Sequence, residues 1–123
     1  DRSRYFNIYG MTELSSGLPA CGHGRYHCPP WVRLMILNKE GDRLLERGAD
    51  GTVEGRMAFF DIGTEARWGG VITGDKVSVD FSTCPCGRHS PTITSVMRYT
   101  DLPGGLTSGL ALVPLEAWIE GRP

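Results

Sequence analysis

Polar and apolar residues alternate from Lys76 through Val77, Ser78, Val79 and Asp80 to Phe81, the period of a strand with one buried face. Trp31-Val32-Arg33-Leu34-Met35-Ile36-Leu37 is rich in branched and aromatic side chains and predicts a second strand. Thr52 to Asp61 predicts a third, with Val53, Met57, Phe59 and Phe60 as its apolar members. Shorter strands are expected over 5–9 and 92–97, with a brief extended piece over 43–46. Turns fall at Lys39–Asp42, Arg47–Gly51 and Gly63. Residues 14–30 are broken by Gly17, Pro19, Gly22, Gly24, Pro29 and Pro30 and read as irregular. Trp68-Gly69-Gly70-Val71-Ile72 leads to Asp75, expected in a tight loop, and Cys84-Pro85-Cys86-Gly87-Arg88 reads as a knuckle turn. Pro114 to Glu120, with Pro in its first turn, reads as a helix start. The expected fold is mainly β, made of antiparallel strands and Gly/Pro-rich loops, with a truncated C-terminal helix.

Composition agrees: 17 Gly and 8 Pro in 123 residues favour turns over helices. The length suits one core, and no internal repeat stands out. Net charge is −1, and the 13 basic residues are scattered, which gives no reason to expect a nucleic-acid partner or an anionic membrane surface. No apolar run approaches the roughly 18–20 residues that span a bilayer. Asp1-Arg2-Ser3-Arg4-Tyr5 lacks the apolar core of a signal peptide and runs straight into a strand pattern. That start is expected of a segment from a longer protein. Four cysteines, closely spaced with histidines and without a secretory signal, favour metal over disulfides and a reducing cytoplasm.

Two motifs carry candidate chemistry. Tyr9-Gly10-Met11-Thr12-Glu13 is followed later by Thr73-Gly74-Asp75. Together they offer an aromatic face for a purine, a hydroxyl for an α-phosphate, a carboxylate for a ribose diol and a hard oxygen for magnesium. In that order the groups are Tyr9, Thr12, Asp75 and Glu13, with Gly10 letting the chain turn between them. Ser15-Ser16-Gly17 has no His or Asp spacing to make a nucleophile, and Leu14, Leu18 and Pro19 are candidates for an apolar acyl-pocket wall.

The pentad, the later triplet and the knuckle behind them resemble the adenylate-forming ligases, most closely the phenylacetate–CoA ligase and coenzyme F390 synthetase branch. The resemblance covers roughly residues 5 to 120. It implies that Tyr9 stacks on adenine, Thr12 meets the AMP phosphate, Glu13 reaches Mg2+, and Asp75 binds the ribose hydroxyls. Arg98 is the matching candidate for an arginine that approaches the ribose. It further implies that 1–98 is the end of a large adenylating domain, and 99–123 the hinge and start of a small one. The implied reaction turns a small carboxylic acid and ATP into an acyl- or aryl-adenylate, then transfers the acyl group, most simply to coenzyme A. The remainder of the ligase chain would be its partner, and a homodimer is compatible. Departures are local: Gly70-Val71-Ile72 replaces the basic run usual before Thr-Gly-Asp, and Asp101 falls one residue late for the hinge aspartate. A rival reading is a zinc-stabilised binding or scaffold module without catalysis; a third is a sister ligase acylating a protein or an amine.

Zinc takes four Cys or His ligands in a tetrahedron. Cys84 and Cys86 supply two, and the others come from Cys21, His23, His27 and Cys28. A similar site in the same branch implies Cys21 and His27, with Cys28 the competitor, so that four of Cys21, His27, Cys28, Cys84 and Cys86 hold the ion. Neighbours such as His27 and Cys28 point oppositely in extended backbone, so one ion takes only one of them. The expected role is structural. His23 and His89 read as ordinary loop histidines, and Trp31, Trp68 and Trp118 as packing residues.

Overall fold

The structure, a computed structural model, describes residues 7–11, 13–64, 70–100, 102 and 108–110. The expected helix at 114–120, together with Thr12, Trp68, Asp101 and Trp118, lies outside the described residues. Those described contain strands and no helix, so none is long and apolar enough to cross a membrane. The strands are β1 Ile8–Tyr9, β2 Leu18–Pro19, β3 Tyr26–His27, β4 Val32–Leu37, β5 Thr52–Asp61, β6 Val71–Asp80, β7 Thr92–Arg98 and β8 Ser108–Leu110.

Strands β4 to β7 form an antiparallel meander. The sheet order is β3-β7-β6-β5-β4, with β8 also on β6. All three long strands expected from the pattern are present. The alternation that predicts β6 survives in its burial: Asp75, Val77 and Val79 face inward while Lys76, Ser78 and Asp80 lie nearer the surface. The main core gathers Leu34, Ile36, Met57, Phe59, Val77, Val79 and Ile93 on one face, joined by Leu14 and Leu18. A smaller cluster of Met35, Leu37 and Ala58 occupies the other face. Both faces of β4 are therefore covered, as its unbroken apolar run requires.

Three differences from the sequence reading have local causes. Residues 14–30 contain two short strands, because β2 pairs with β1 (Ile8↔Pro19, Tyr9↔Leu18) and β3 pairs with β7. Proline is tolerated in β2 because this strand pairs on one side only. Gly17 keeps the β1–β2 approach open, since an added Cβ would collide with the Ile8 side chain. Trp31 is exposed rather than packed, its indole N–H 3.3 Å from the Ser16 hydroxyl. Leu14 and Leu18, which follow the pentad in the chain, join the main core.

The third difference bears on the site. Asp75 is not in a tight loop; it lies within the continuous strand β6. The β5–β6 register jumps from Arg56↔Lys76 to Ala58↔Ile72, so Thr73, Gly74 and Asp75 face Met57 alone. This bulge coincides with a change of neighbour, for residues 71–73 pair with β8 and residues 75–80 with β7. Extra residues in one strand bend it and redirect a side chain. The bulge is fixed by Thr73, whose Oγ1 donates to the Met57 carbonyl at 2.9 Å and accepts from the Asp75 amide at 3.1 Å. From β5, Arg56 Nε donates to the Thr73 carbonyl at 2.6 Å.

Candidate functional site

Tyr9, Asp75 and Arg98 meet although 66 residues separate the first two. The β6–β7 register sets Asp75 directly opposite Arg98, so both side chains stand on one face of the sheet. Arg98 Nη1 donates to Asp75 Oδ1 at 2.6 Å, and the Tyr9 hydroxyl donates to Asp75 Oδ2. The Tyr9 oxygen also lies 3.5 Å from Met57 Sδ. Asp75 is 5 % exposed, so its charge is answered by the guanidinium and the phenol rather than by water. Burial, and then the Asp75 carboxylate it bonds, push the Tyr9 phenol well above the ordinary tyrosine range. It is therefore a donor at any working pH. Asp75 in turn raises the Arg98 pKa.

These groups line a cavity of about 480 Å3 together with Gly10, Met11, Glu13 and Thr73, within the usual range of small-molecule sites. The fold thus brings Tyr9, Gly10, Glu13, Asp75 and Arg98 to one place, while Thr12 lies outside the described residues. Gly10 plays a different part from the expected one. It is not among the glycines at positive φ, and a Cβ there would meet only the Gly17 backbone at 3.8 Å. The turn after the pentad is instead held by Asp61 at the end of β5. Its carboxylate accepts from the Ser15 amide (2.6 Å), the Ser15 hydroxyl (3.0 Å) and the Gly63 amide (2.8 Å). Burial opposes the charge on Asp61, but these donors hold its pKa below the usual carboxylate value. Sequence reasoning missed Asp61, because nothing local marks a carboxylate whose partner is 46 residues away.

Comparison with protein-family models, characterised proteins and solved structures finds no match. The case for chemistry therefore rests on geometry.

Toward the β6–β7 turn, at the other end of the ladder from Asp75 and Arg98, Cys21, His27, Cys84 and Cys86 place their ligand atoms within 4.8 Å of one another. Cys21 and Cys84 Sγ are 3.8 Å apart, and Cys86 Sγ is 3.4 Å from His27 Nε2. A zinc tetrahedron with ordinary bond lengths has S···S edges of about 3.8 Å and S···N edges of about 3.5 Å. The four residues can therefore hold a metal ion with little rearrangement. His27 Nδ1 lies 2.7 Å from the Ser90 hydroxyl, which directs Nε2 at the cluster in the way outer partners orient metal-binding histidines. Partial burial opposes the Cys21 thiolate, but the amides of Arg25 and His23 and the side chains of His27 and Cys84 lower its pKa to about 6. That thiol is largely ionised at neutral pH, as metal binding requires.

Both ends of the cluster use one device. In Cys21-Gly22-His23-Gly24-Arg25, the Cys21 amide donates to the Arg25 carbonyl (2.9 Å) and the Gly24 amide to the Cys21 carbonyl (2.9 Å). In Cys84-Pro85-Cys86-Gly87-Arg88, the equivalent bonds measure 2.9 and 2.8 Å. Gly24 (φ 71°) and Gly87 (φ 95°) take the left-handed conformation that closes each turn. A short repeat, Cys-x-His/Cys-Gly-Arg, was thus present in a chain whose sequence shows no longer one. His23 holds the position of Cys86 in this repeat but is not one of the four clustered residues; His89 pairs with the Thr83 hydroxyl at 3.0 Å.

Cys28 is no part of the cluster. Its backbone follows His27 in extended geometry, its Sγ faces the Val32 carbonyl at 3.1 Å, and it is 3 % exposed. Burial, and then the charge of Asp61, push its thiol up to about 12. Cys28→Ala is expected to leave bound metal per chain unchanged, while Cys84→Ala abolishes it. Elemental analysis of the purified variants checks both outcomes, and equal losses would return Cys28 to the ligand set.

Metal and cavity are mechanically joined. Tyr26 and His27 are consecutive in β3, His27 at the cluster and Tyr26 with its ring centroid 5.9 Å from that of Tyr9. An Ala20↔Tyr26 bridge ties the end of β2 to β3, and Arg25 pairs with Asp80 at 2.9 Å.

Proposed function

We propose that this chain is the nucleotide-binding part of an ATP-dependent carboxylate ligase, which forms an acyl- or aryl-adenylate and passes the acyl group to an acceptor, most simply the thiol of coenzyme A. The observation that carries the reading is the convergence of Tyr9, Glu13, Asp75 and Arg98 on one cavity from distant parts of the chain. The motif resemblance assigns those same residues to adenine, magnesium and ribose. An adenylate needs an aromatic face, a diol acceptor and compensation for phosphate charge, and this cavity has each of these groups.

In this reading Asp75 accepts the ribose hydroxyls, and Arg98 orients its carboxylate through the Oδ1 contact. Glu13 is the residue that would hold Mg2+, which neutralises charge on the phosphates when bound. Thr12 is assigned to the α-phosphate by the motif alone. Zinc at Cys21, His27, Cys84 and Cys86 would be structural, for four protein ligands leave no open position for a reacting water. The acid, the remainder of the ligase and a cytoplasmic setting belong to the same proposal.

A zinc-stabilised module without catalysis is favoured by the same metal cluster, which needs no reaction to explain it. The two readings part in one experiment. The intact protein, supplied with MgATP and a panel of carboxylic acids, is expected to exchange labelled pyrophosphate into ATP with at least one acid. Zinc binding with no exchange and no measurable AMP affinity would favour the scaffold.

A further inference from the structure

The Tyr9–Asp75 contact has a consequence for how the cavity takes a ligand. A vicinal diol is gripped by a carboxylate through both oxygens, one hydroxyl to each. Here Oδ1 is engaged by Arg98 and Oδ2 by the Tyr9 hydroxyl. Asp75 is buried, 5 % exposed, at the wall of the cavity, with both carboxylate oxygens already engaged. Arg98, whose side chain is half exposed, stands at the cavity rim. Tyr9 enters from β1, whose strand pairing among the described residues is the two-residue register with β2.

We propose that the Tyr9 hydroxyl is a built-in competitor for the diol: it occupies Asp75 Oδ2 and must leave that oxygen before a ribose can bind. This rests on the reading of the cavity as a nucleotide site and adds an order of events to it. The incoming 2′- and 3′-hydroxyls take over the bond that Tyr9 makes. The freed phenol ring leaves its tilted contact with Tyr26 and becomes available as a flat face for the base. Base stacking and diol binding are thereby coupled, since one movement of Tyr9 serves both. A ligand with a base but no diol leaves Tyr9 on Asp75, and a diol without a base gains nothing from the released ring.

The contact also protects the empty site. A buried carboxylate with one guanidinium would keep an unanswered oxygen, and the phenol supplies the missing donor. Discrimination follows, because a nucleotide lacking ribose hydroxyls cannot replace that donor.

The test compares the wild-type protein with Tyr9→Phe, which keeps the ring and removes the competitor, by calorimetric titration with AMP and with 2′,3′-dideoxy-AMP. Tyr9→Phe is expected to bind AMP about tenfold more tightly than wild type, the scale of one hydrogen bond to a charged group. Its gain for dideoxy-AMP should be smaller, because the freed ring can meet the base while no diol takes up Asp75. An AMP affinity unchanged or weakened in Tyr9→Phe overturns the proposal, as does an equal gain for both nucleotides. If neither protein binds AMP at millimolar concentration while both fold and carry metal, the nucleotide reading itself fails. Should Tyr9→Phe not fold, wild type alone decides: AMP shifts the near-ultraviolet tyrosine band as the phenol leaves its carboxylate, and dideoxy-AMP does not. Equal shifts with the two nucleotides would refute the competition.

Discussion

Removal of an ion bound at the Cys21, His27, Cys84 and Cys86 cluster is expected to cost this protein as much as a large core truncation. Cys21 reaches the cluster from the β2–β3 turn, while Cys84 and Cys86 sit on the β6–β7 turn. An ion held a thousandfold below its ambient concentration in Kd stabilises the folded chain by about 4 kcal/mol through mass action alone. For a domain of this size that corresponds to roughly 10–20 °C in Tm. The intact protein treated with a strong chelator, or carrying Cys84→Ser, should therefore melt at least about 10 °C lower by calorimetry. Adding zinc back should restore the chelated wild type and not the variant. Acid acts in the same direction, because protons compete with the ion for three thiolates and an imidazole, so affinity falls as pH is lowered. An unchanged Tm after complete metal removal would mean that the cluster is four thiol and imidazole groups packed together, with no mechanical role.

Asp75→Ala is expected to reduce nucleotide binding at least a hundredfold and to abolish pyrophosphate exchange in the intact protein. The substitution removes the acceptor for the diol and simultaneously releases Arg98 and Tyr9 from their shared partner. Loss of a buried, doubly bonded charge typically costs several kcal/mol, so the fold is checked by metal content and Tm. A second variant separates chemistry from packing. Arg98→Lys keeps a cation near Asp75 but loses the guanidinium geometry, and should weaken AMP binding while leaving metal content unchanged. Full nucleotide affinity in Asp75→Ala would remove the ribose assignment and, with it, most of the argument for a ligase.

The long strands were legible because hydrophobic burial is a local property of residue order. Val77 and Val79 in β6, or Phe59 in β5, announce their face through spacing alone. The bulge at Thr73–Asp75 was not, since it depends on β6 exchanging one neighbour for another, which no run of residues encodes. Asp75 therefore read as a loop residue, whereas it lies within β6. Cys84 and Cys86 stood out by their chemistry, whereas Cys21 and His27 rested on the family resemblance, with Cys28 left open; only the fold, which turns Cys28 away, brings Cys21, His27, Cys84 and Cys86 together. Ser90 and Asp61 stayed hidden because hydroxyl and carboxylate partners of this kind are fixed by tertiary contact and carry no spacing of their own.

The repeated knuckles also govern the order in which the chain can assemble. The β4–β7 meander is built from neighbours in sequence, each strand closing on the one before it, and such short-range pairings form early. The two turns that meet at the cluster are 63 residues apart, and neither alone offers four ligands. High-affinity capture of the ion must wait until the meander has brought them together, so the metal acts as a closing clasp rather than a nucleus. Zinc added to the refolding apoprotein should slow unfolding and leave the rate of meander formation unchanged, whereas a folding rate rising in proportion to zinc would reverse that order.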